Sequence, residues 1–259
     1  MSDRGVVDFL IIGAQKSGTT AAAFNLSRHP ELGVFDGLTK FGQREIEFFN
    51  QHWTEGVSWY KSHFDYSKTI IGEKTAELIH RTIAHARMHE VVPNAKLILF
   101  LRSPVERAYS QWKMATRPNW GETRSFAEVV AGELQLICNL DYVETFYNCR
   151  RRGMSNWREG YVLKGLYIDQ IESILRWYPR SRIHIAISER VRANKIAEYN
   201  RIFSFLGLGS FSYPFDERFV SRTTLPADPL VCQELASFYR PSIERLRGFL
   251  GDPLPEWDI

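Results

Sequence analysis

The segment G-A-Q-K-S-G-T-T, at residues 13–20, combines glycines, a lysine and hydroxyl side chains as an anion-binding turn does. Gly13 and Gly18 permit a tight turn and a close approach of the backbone to a ligand. If a helix starts at Thr19, the amides around its start point toward the positive end of the helix dipole. An ordinary strand-to-helix turn needs neither the lysine nor three hydroxyl side chains. We therefore predict a phosphate or sulfate site here.

This turn differs from the nucleotide-triphosphate loop G-x-x-x-x-G-K-[ST] at one position. Where that motif has lysine after its second glycine, this chain has Thr19, and its lysine is Lys16, inside the loop. A Mg²⁺-dependent nucleoside triphosphatase also needs an acidic residue after a buried strand. Here the apolar run L-I-L-F-L ends in Arg102 instead. The pattern predicts an anion site that works without a metal.

Arg102 and Ser110 form a second candidate anion site. Arg102 follows a predicted strand, at the end where ligands bind in open α/β sheets. Ser110 lies two turns into the next helix, on the same face as the start of that helix. A guanidinium and a hydroxyl that converge there could hold a second phosphate. The alternative is that Arg102 pairs with a carboxylate and Ser110 has no special role.

Short apolar runs alternate with helical patterns along the chain. The runs that predict strands are residues 6–12, 33–35, 69–71, 96–101 and 183–187. A further helix is predicted to begin at Pro104, after a capping box of Ser103 and Glu106. The other predicted helices are residues 19–28, 166–177, 196–206 and 228–250. This alternation indicates an α/β fold with a parallel β-sheet flanked by helices.

No internal repeat and no linker rich in proline, glycine or serine divides the 259 residues. We therefore predict a single domain over residues 1–259. The least regular part, residues 116–160, is predicted to be an acceptor-binding or lid region, and a solvated basic face is an equally good interpretation. Its notable side chains are Arg150, Arg151, Arg152, Trp157 and Arg158.

Composition excludes several classes of protein. The 33 basic and 30 acidic residues give a net charge of +3, too small for a dedicated nucleic-acid-binding protein. The most apolar stretch near the start, residues 6–13, is far shorter than the ~20 residues of a membrane span. No signal-peptide cleavage pattern is recognised. We expect a cytoplasmic protein with no membrane and no nucleic-acid partner.

The potential metal ligands do not fall into metal-binding patterns. Cys138, Cys149 and Cys232 are odd in number and far apart, which argues against a disulfide framework or a zinc site and for a reducing compartment. His85 and His89 are four residues apart but lack the glutamate of H-E-x-x-H. We therefore predict structural or surface roles for the histidines, and no metal site.

The motifs together resemble those of the sulfotransferases that use 3′-phosphoadenosine 5′-phosphosulfate (PAPS). Residues 13–20 match the 5′-phosphosulfate loop of that family, and L-R-S-P-V-E-R-A-Y-S-Q-W at 101–112 matches its 3′-phosphate motif. Y-R-P-S-I-E-R-L at 239–246 resembles its closing helix. The stretches similar to heparan sulfate sulfotransferase domains and their bacterial relatives are R-E-I-E-F-F-N at 44–50, G-V-S-W-Y at 56–60 and G-E-K-T-A-E at 72–77. The resemblance implies the P-loop-like sulfotransferase fold.

The resemblance also implies catalytic roles. Sulfuryl transfer to a hydroxyl needs a base for the acceptor proton and cations for the charge on the leaving phosphate. In an extended segment Glu45 and Glu47 share a face, so residue chemistry leaves both as candidate bases, and the family pattern selects Glu45. Lys16 matches the loop lysine that contacts the bridging oxygen. Lys74 matches a second lysine near the transferring group, with a salt bridge to Glu73 or Glu77 as the alternative.

The donor-binding residues follow from the same two motifs. Lys16 and the backbone of the next four residues would hold the phosphosulfate, and Arg102 with Ser110 would hold the 3′-phosphate. Downstream, F-V-S-R-T-T-L-P at 219–226 lacks the neighbouring cysteine of the heparan enzymes, and Arg222 is the candidate to replace their basic residue. The predicted donor-binding set is Lys16, Ser17, Gly18, Thr19, Thr20, Arg102, Ser110 and Arg222.

The predicted function is transfer of the sulfuryl group of PAPS to a hydroxyl of a small-molecule acceptor, in natural-product or glycan modification of a bacterial type. One alternative is a P-loop kinase-like phosphotransferase, which shares the sheet and the turn. The other is a noncatalytic anion-binding module that uses the basic region around Arg150. The acceptor and the oligomeric state are not encoded in any motif.

Overall fold

The computed structural model describes residues 5–35, 45–118, 120–148, 159–214 and 228–257. The chain divides into two compact units. The first, here called the sheet unit, comprises Met1–Leu101 and Ser173–Val220. The second, here called the helical unit, comprises Arg102–Glu172 and Ser221–Ile259. The catalytic residues predicted from the sequence lie in the sheet unit, and the two residues predicted to hold the 3′-phosphate lie in the helical unit.

The sheet unit is organised by a parallel sheet. Among the described residues its strands are β1 (Phe9–Gly13), β2 (Leu32–Phe35), β3 (Ile70–Lys74), β4 (Lys96–Leu101) and β5 (Ile183–Ile187). They are ordered β2-β3-β1-β4-β5, with every neighbouring pair parallel. Since β1 is central, the loop that follows it emerges between the ends of two neighbouring strands.

Both faces of the central strands are buried, as an all-parallel sheet requires. Alternate residues of β1 and β4 pack into one hydrophobic core. Side chains from residues 22–26 and from residues 199–206 complete this core. The intervening residues of the two strands point to the opposite face and are buried to the same degree. The near-continuous apolar runs of β1 and β4 follow from this double burial.

The helices of the sheet unit connect these strands. They are α1 (Thr19–Leu26), α2 (Gly56–Lys61), α3 (Thr82–Val91), α8 (Ser188–Ala193) and α9 (Lys195–Leu206). Gly207 ends α9 in the left-handed conformation, which glycine adopts without steric cost. Helix α7 (Tyr167–Leu175) contributes its last three residues to this unit and its first six to the other.

The helical unit contains α4 (Pro104–Ala115), α5 (Phe126–Ile137), α6 (Leu140–Asn148) and α10 (Pro229–Leu250), besides most of α7. Helix α10 continues through Pro241. Helices α5 and α6 occupy much of residues 116–160, the part of the chain predicted to be least regular. Residues 149–158, with the basic run around Arg150, lie outside the described residues.

The structure confirms the predicted α/β class with a parallel sheet flanked by helices. Strands β4 and β5 have the predicted bounds. Strand β1 starts three residues later than predicted and β3 extends three residues further. The single-domain extent over residues 1–259 stays a prediction. None of the helices in the described ranges combines the length and apolar character needed to cross a membrane.

The capping box predicted at Ser103 and Glu106 is wrong. Pro104 does begin α4, but Ser103 makes no side-chain cap. The carboxylate of Glu106 accepts from the guanidinium of Arg102. A capping box occurs instead at Ser125 and Glu128, at the start of α5.

Candidate functional site

The start of the loop after β1 is held against β4 and packs closely against Ile79. Ala14 N donates to the carbonyl of Phe100 in β4, with an N···O distance of 2.8 Å. A Cβ atom at Gly13 would lie 2.5 Å from Cγ2 of Ile79, well inside the contact distance of carbon atoms. The first glycine of the motif is therefore required by close packing.

Ser17 and its neighbours give the loop an unusual backbone. Lys16 has φ 71°, in the left-handed region that side-chain-bearing residues disfavour, and Gly18 has φ 87°. The hydroxyl of Ser188, at the start of α8, donates to the carbonyl of Ser17 over 2.7 Å. This bond fixes the loop immediately after its lysine.

The start of α1 fits an anionic ligand. Its N-cap residue is Gly18, which offers no side-chain oxygen to the amides of the first turn. The Oγ atom of Ser17 is buried and has no hydrogen-bond partner within the described part of the chain. A Cβ atom at Gly18 would meet no atom within 4 Å. A phosphate or sulfate at this helix start would supply the acceptor that these groups need.

Glu45 and Lys74 form an ion pair beside this loop's strand. Lys74 ends β3, and Ile11 of β1 is its partner in the strand register. Its Nζ lies 2.5 Å from Oε1 of Glu45, and Ala76 N donates to the same oxygen over 3.3 Å. The Lys74 side chain is 3% exposed and that of Glu45 is 20% exposed. The alternative partners, Glu73 and Glu77, do not pair with Lys74 in the structure.

Glu47 lies in a partly buried environment that favours its protonated form. Burial and the negative charges of Glu45 and Glu77 raise the pKa of Glu47 to about 8. At neutral pH its carboxyl group therefore carries a proton most of the time. Its backbone is left-handed, with φ 53°, so it does not continue an extended segment that would place both glutamates on one face. Of the two glutamates, Glu45 is the one that pairs with Lys74.

A second buried carboxyl group, Glu73, lies next to Lys74 in β3. It is completely buried, and burial raises its pKa to about 8. The hydroxyl of Tyr60 donates to its Oε1 over 2.9 Å. Sequence reasoning missed the proton that Glu73 retains, because the signal is three-dimensional burial and not residue spacing.

Arg102, in the helical unit, pairs with a carboxylate, as the alternative interpretation of the sequence stated. Its Nε and Nη2 donate to Oε2 of Glu106 over 2.9 and 2.5 Å. The Arg102 side chain is 4% exposed, and its carbonyl accepts from the hydroxyl of Tyr167 over 2.9 Å. The ion pair uses two of the five guanidinium N–H groups. Ser110 is buried on α4, and Arg222 lies outside the described residues.

His85 is buried and both of its ring nitrogens lie within hydrogen-bond distance of oxygen atoms. Its Nε2 lies 2.9 Å from the carbonyl oxygen of Leu78, and its Nδ1 lies 3.1 Å from Oγ of Ser173. Burial lowers the pKa of His85 to about 4, so the ring is neutral. Within the described ranges, no cluster of three or more histidine, cysteine, aspartate or glutamate side chains is arranged to hold a metal ion.

The parallel sheet and the helix start after β1, which has no side-chain cap, define an α/β protein with a helix start suited to an anionic group at the carboxyl ends of its strands. The model for the sulfotransferase domain matches residues 7–220. The chain therefore belongs to the sulfotransferase domain family.

Relatives among known proteins agree with this assignment. The membrane-associated sulfotransferase kil1 of Dictyostelium discoideum is 23% identical over 94% of this chain and 65% of its own length. The human bifunctional heparan sulfate N-deacetylase/N-sulfotransferase 2 is 29% identical over 78% of this chain and 22% of its own length. The chain thus spans less than two thirds of either relative.

A solved structure shares the fold over nearly the whole chain. The crystal structure of a sulfotransferase from Alicyclobacillus acidocaldarius superposes with a TM-score of 0.75, at 24% sequence identity and 99% coverage of both chains. This likeness confirms the sulfotransferase fold predicted from the motifs.

Proposed function

We propose that the protein transfers the sulfuryl group of PAPS to a hydroxyl group of a small-molecule acceptor. The observation that carries this proposal is the Glu45–Lys74 pair, which places a carboxylate base at the strand edge that also bears the anion-binding loop. Family membership supplies the reaction class, and the structure supports the choice of base. PAPS as the donor, and oxygen as the acceptor atom, are our own inferences.

The loop residues are proposed to hold the donor's phosphosulfate. PAPS, when bound, supplies the sulfuryl group and an adenosine bisphosphate leaving group. Lys16 provides positive charge for the leaving phosphate, and the amides from Ser17 to Thr20 provide hydrogen-bond donors at the helix start. The buried hydroxyl of Ser17, which has no partner in the described residues, is suited to the same anion.

Glu45 is proposed to take the acceptor's proton. An alcohol depends on a neighbouring base because its own pKa is far above neutral. Lys74 holds one carboxylate oxygen of Glu45, and the amide of Ala76 holds the same oxygen. The other oxygen, Oε2, is then left to face the acceptor. Lys74 also adds a positive charge to the site, which suits the anionic donor.

Arg102 and Ser110 are proposed to bind the 3′-phosphate of the donor, with Arg222 as a further basic residue. Arg102 retains three N–H groups beyond those that Glu106 takes. A guanidinium held by a carboxylate keeps a defined direction, which suits recognition of a phosphate.

The acceptor class has two candidates. A hydroxyl is favoured because Glu45 supplies the base that an alcohol needs and a neutral amine does not. An amine is the second candidate because relatives such as the human enzyme are named as N-sulfotransferases. A small molecule, natural-product or glycan modification, a cytoplasmic location and acceptor binding by residues 116–160 remain predictions.

Thermal unfolding with three ligands tests the donor. We expect 3′,5′-adenosine bisphosphate to stabilise the protein without metal, and ADP or Mg²⁺·ATP to do so much less. A ligand at about 100 times its Kd adds ~2.7 kcal/mol, or roughly 5–11 °C for a chain of this size. A response to Mg²⁺·ATP alone would favour a phosphotransferase and contradict the proposal.

Sulfuryl transfer to panels of alcohols and amines then separates the acceptor classes. Bisphosphate binding with no transfer to either panel would favour the noncatalytic anion-binding module. Transfer to amines alone would retain the sulfotransferase class and reject O-sulfation.

A further inference from the structure

Glu77 connects the anion-binding loop to a buried arginine. Its Oε1 accepts from Nε2 of Gln15 over 3.2 Å, although the two residues are 62 positions apart. Its Oε2 accepts from Nη2 of Arg81 over 3.3 Å. The side chains of Glu77 and Arg81 are 6% and 1% exposed. One buried carboxylate therefore holds a loop side chain with one oxygen and a guanidinium with the other.

The bond to Gln15 is one of several that flank Lys16. Gln15 is held by Glu77 on one side, and the carbonyl of Ser17 is held by Ser188 on the other. Between them, Lys16 has the disfavoured φ of 71°. Such a conformation persists only where surrounding contacts determine it. These bonds, together with the bond from Ser17 N to the carbonyl of Ala14, contribute to holding the backbone of Lys16 in that conformation.

The chemistry of position 77 requires a carboxylate. Arg81 is buried, and a buried guanidinium needs an anionic partner. A glutamine at this position replaces one carboxylate oxygen with an NH₂ donor, which would face the N–H donor of Gln15 or of Arg81 instead of accepting from it. Glu77 is thus suited to both partners in a way that its neutral isostere is not.

The same short segment also holds the proposed base. After β3, Lys74 and the amide of Ala76 contact Glu45, and Glu77 contacts Gln15. Residues 74–77 therefore join the base on one side to the loop that carries Lys16 on the other. Movement of this segment would change the separation of the two groups that the reaction needs at fixed positions.

We propose that Glu77 is a positioning residue of the sulfotransferase site: through Gln15 it fixes the loop conformation that directs Lys16 toward the transferring group. The inference rests on the proposed function for the role of Lys16. The bond itself and its effect on the loop do not depend on that function.

A double-mutant cycle tests the proposal. Gln15→Ala, Glu77→Gln and the double variant are compared with the unmodified chain for kcat and for KM of PAPS. We expect each single variant to lower kcat on the order of 10- to 100-fold, with a smaller change in KM. The double variant should be no worse than the poorer single variant, because both changes break the same connection. Multiplied losses would overturn the proposal.

Hydrogen exchange of the ligand-free protein gives a readout independent of activity. Amides of residues 13–20 should exchange faster in both single variants and in the double variant than in the unmodified chain. Glu198→Gln is the matched control, since Glu198 is a buried carboxylate paired with an arginine on α9. It should leave both the loop exchange and kcat unchanged. Unchanged loop exchange in Gln15→Ala and Glu77→Gln would reject the positioning role.

The two proposals can fail separately. Absence of transfer and of bisphosphate binding in the unmodified chain would reject the proposed function, while the exchange experiment would still decide whether Glu77 holds the loop. If Glu77→Gln folds poorly because Arg81 loses its anion, Gln15→Ala tests the same bond without removing a charge.

Discussion

The sheet unit and the helical unit satisfy their buried polar groups in different ways. In the sheet unit the parallel strands pair backbone with backbone. In the helical unit the backbone of one short turn, residues 161–165, is bound by side chains. The contributors, one from each of five helices, are Arg107, Glu133, Tyr147, Gln170 and Tyr239.

Both arrangements follow from the cost of burying an unpaired amide or carbonyl group. A sheet meets that requirement through a repeating pattern, so a single side-chain change leaves it intact. The turn at 161–165, here called the hub turn, also relies on individual side chains, so loss of Arg107 or Glu133 removes the partner of the Tyr161 carbonyl or of the Leu163 amide. We therefore expect substitutions in the two units to separate activity from stability.

The largest expected effect is on activity in the sheet unit. Glu45→Gln should lower kcat by a factor on the order of 10²–10⁴, because the amide cannot take the acceptor's proton. Binding of 3′,5′-adenosine bisphosphate should persist, which calorimetry can measure. Glu55→Gln, at an exposed position of the same unit, should leave kcat unchanged. Normal turnover by Glu45→Gln would mean that another group is the base.

The next effect is on stability in the helical unit. Arg107→Met should lower the free energy of unfolding by about 3 kcal/mol, since the carbonyl of Tyr161 and the side chain of Gln111 lose a buried donor. Urea denaturation measures this change. The matched control is Arg245→Met, which removes an exposed arginine paired with two carboxylates and should cost less than about 1 kcal/mol. Equal losses would contradict the special role of the hub turn.

The smallest effect is on the pH dependence of stability, and it belongs to the sheet unit. The folded state keeps a proton on Glu47 up to about pH 8, whereas an ordinary glutamate loses it near 4.5. The folded state thus binds more protons than the unfolded state in this window, and stability should fall as pH rises through it. Burial of Glu73 acts in the same direction.

Urea denaturation across this pH window measures the slope. Glu47→Gln should reduce the slope because its side chain cannot ionise. Glu90→Gln, at an exposed position on α3, should leave it unchanged. A slope that is the same in Glu47→Gln and in the unmodified chain would show that Glu47 ionises normally.

The features that could be predicted from the sequence are those formed by residues close together in the chain. The bounds of β4 and β5 could be predicted from the sequence, because strands buried on both faces appear as continuous apolar runs. The turn from β1 into α1 at residues 13–20 could also be predicted, because its glycines, its lysine and the start of the helix are contiguous in the sequence. These features are local, so their residue types lie side by side in the chain.

The features missed depend on contacts between distant residues. The hub turn needs side chains from as far as Tyr239, and the bond between Gln15 and Glu77 spans 62 positions. The capping box at Ser103 failed because the Ser103 side chain caps no amide of the first turn. Helix α5 did carry a local signal, the S-x-x-E spacing of Ser125 and Glu128, which was overlooked.

The strand order has a consequence that does not depend on any side chain. From β1 the chain passes first to β2 and β3 on one side of the sheet and then crosses to β4 and β5 on the other. The connections on either side of β1 therefore diverge, and they leave a crevice above the end of that strand. Connectivity alone creates this crevice, so substitutions that alter substrate choice can accumulate in the surrounding loops without remaking the site that we propose for the donor.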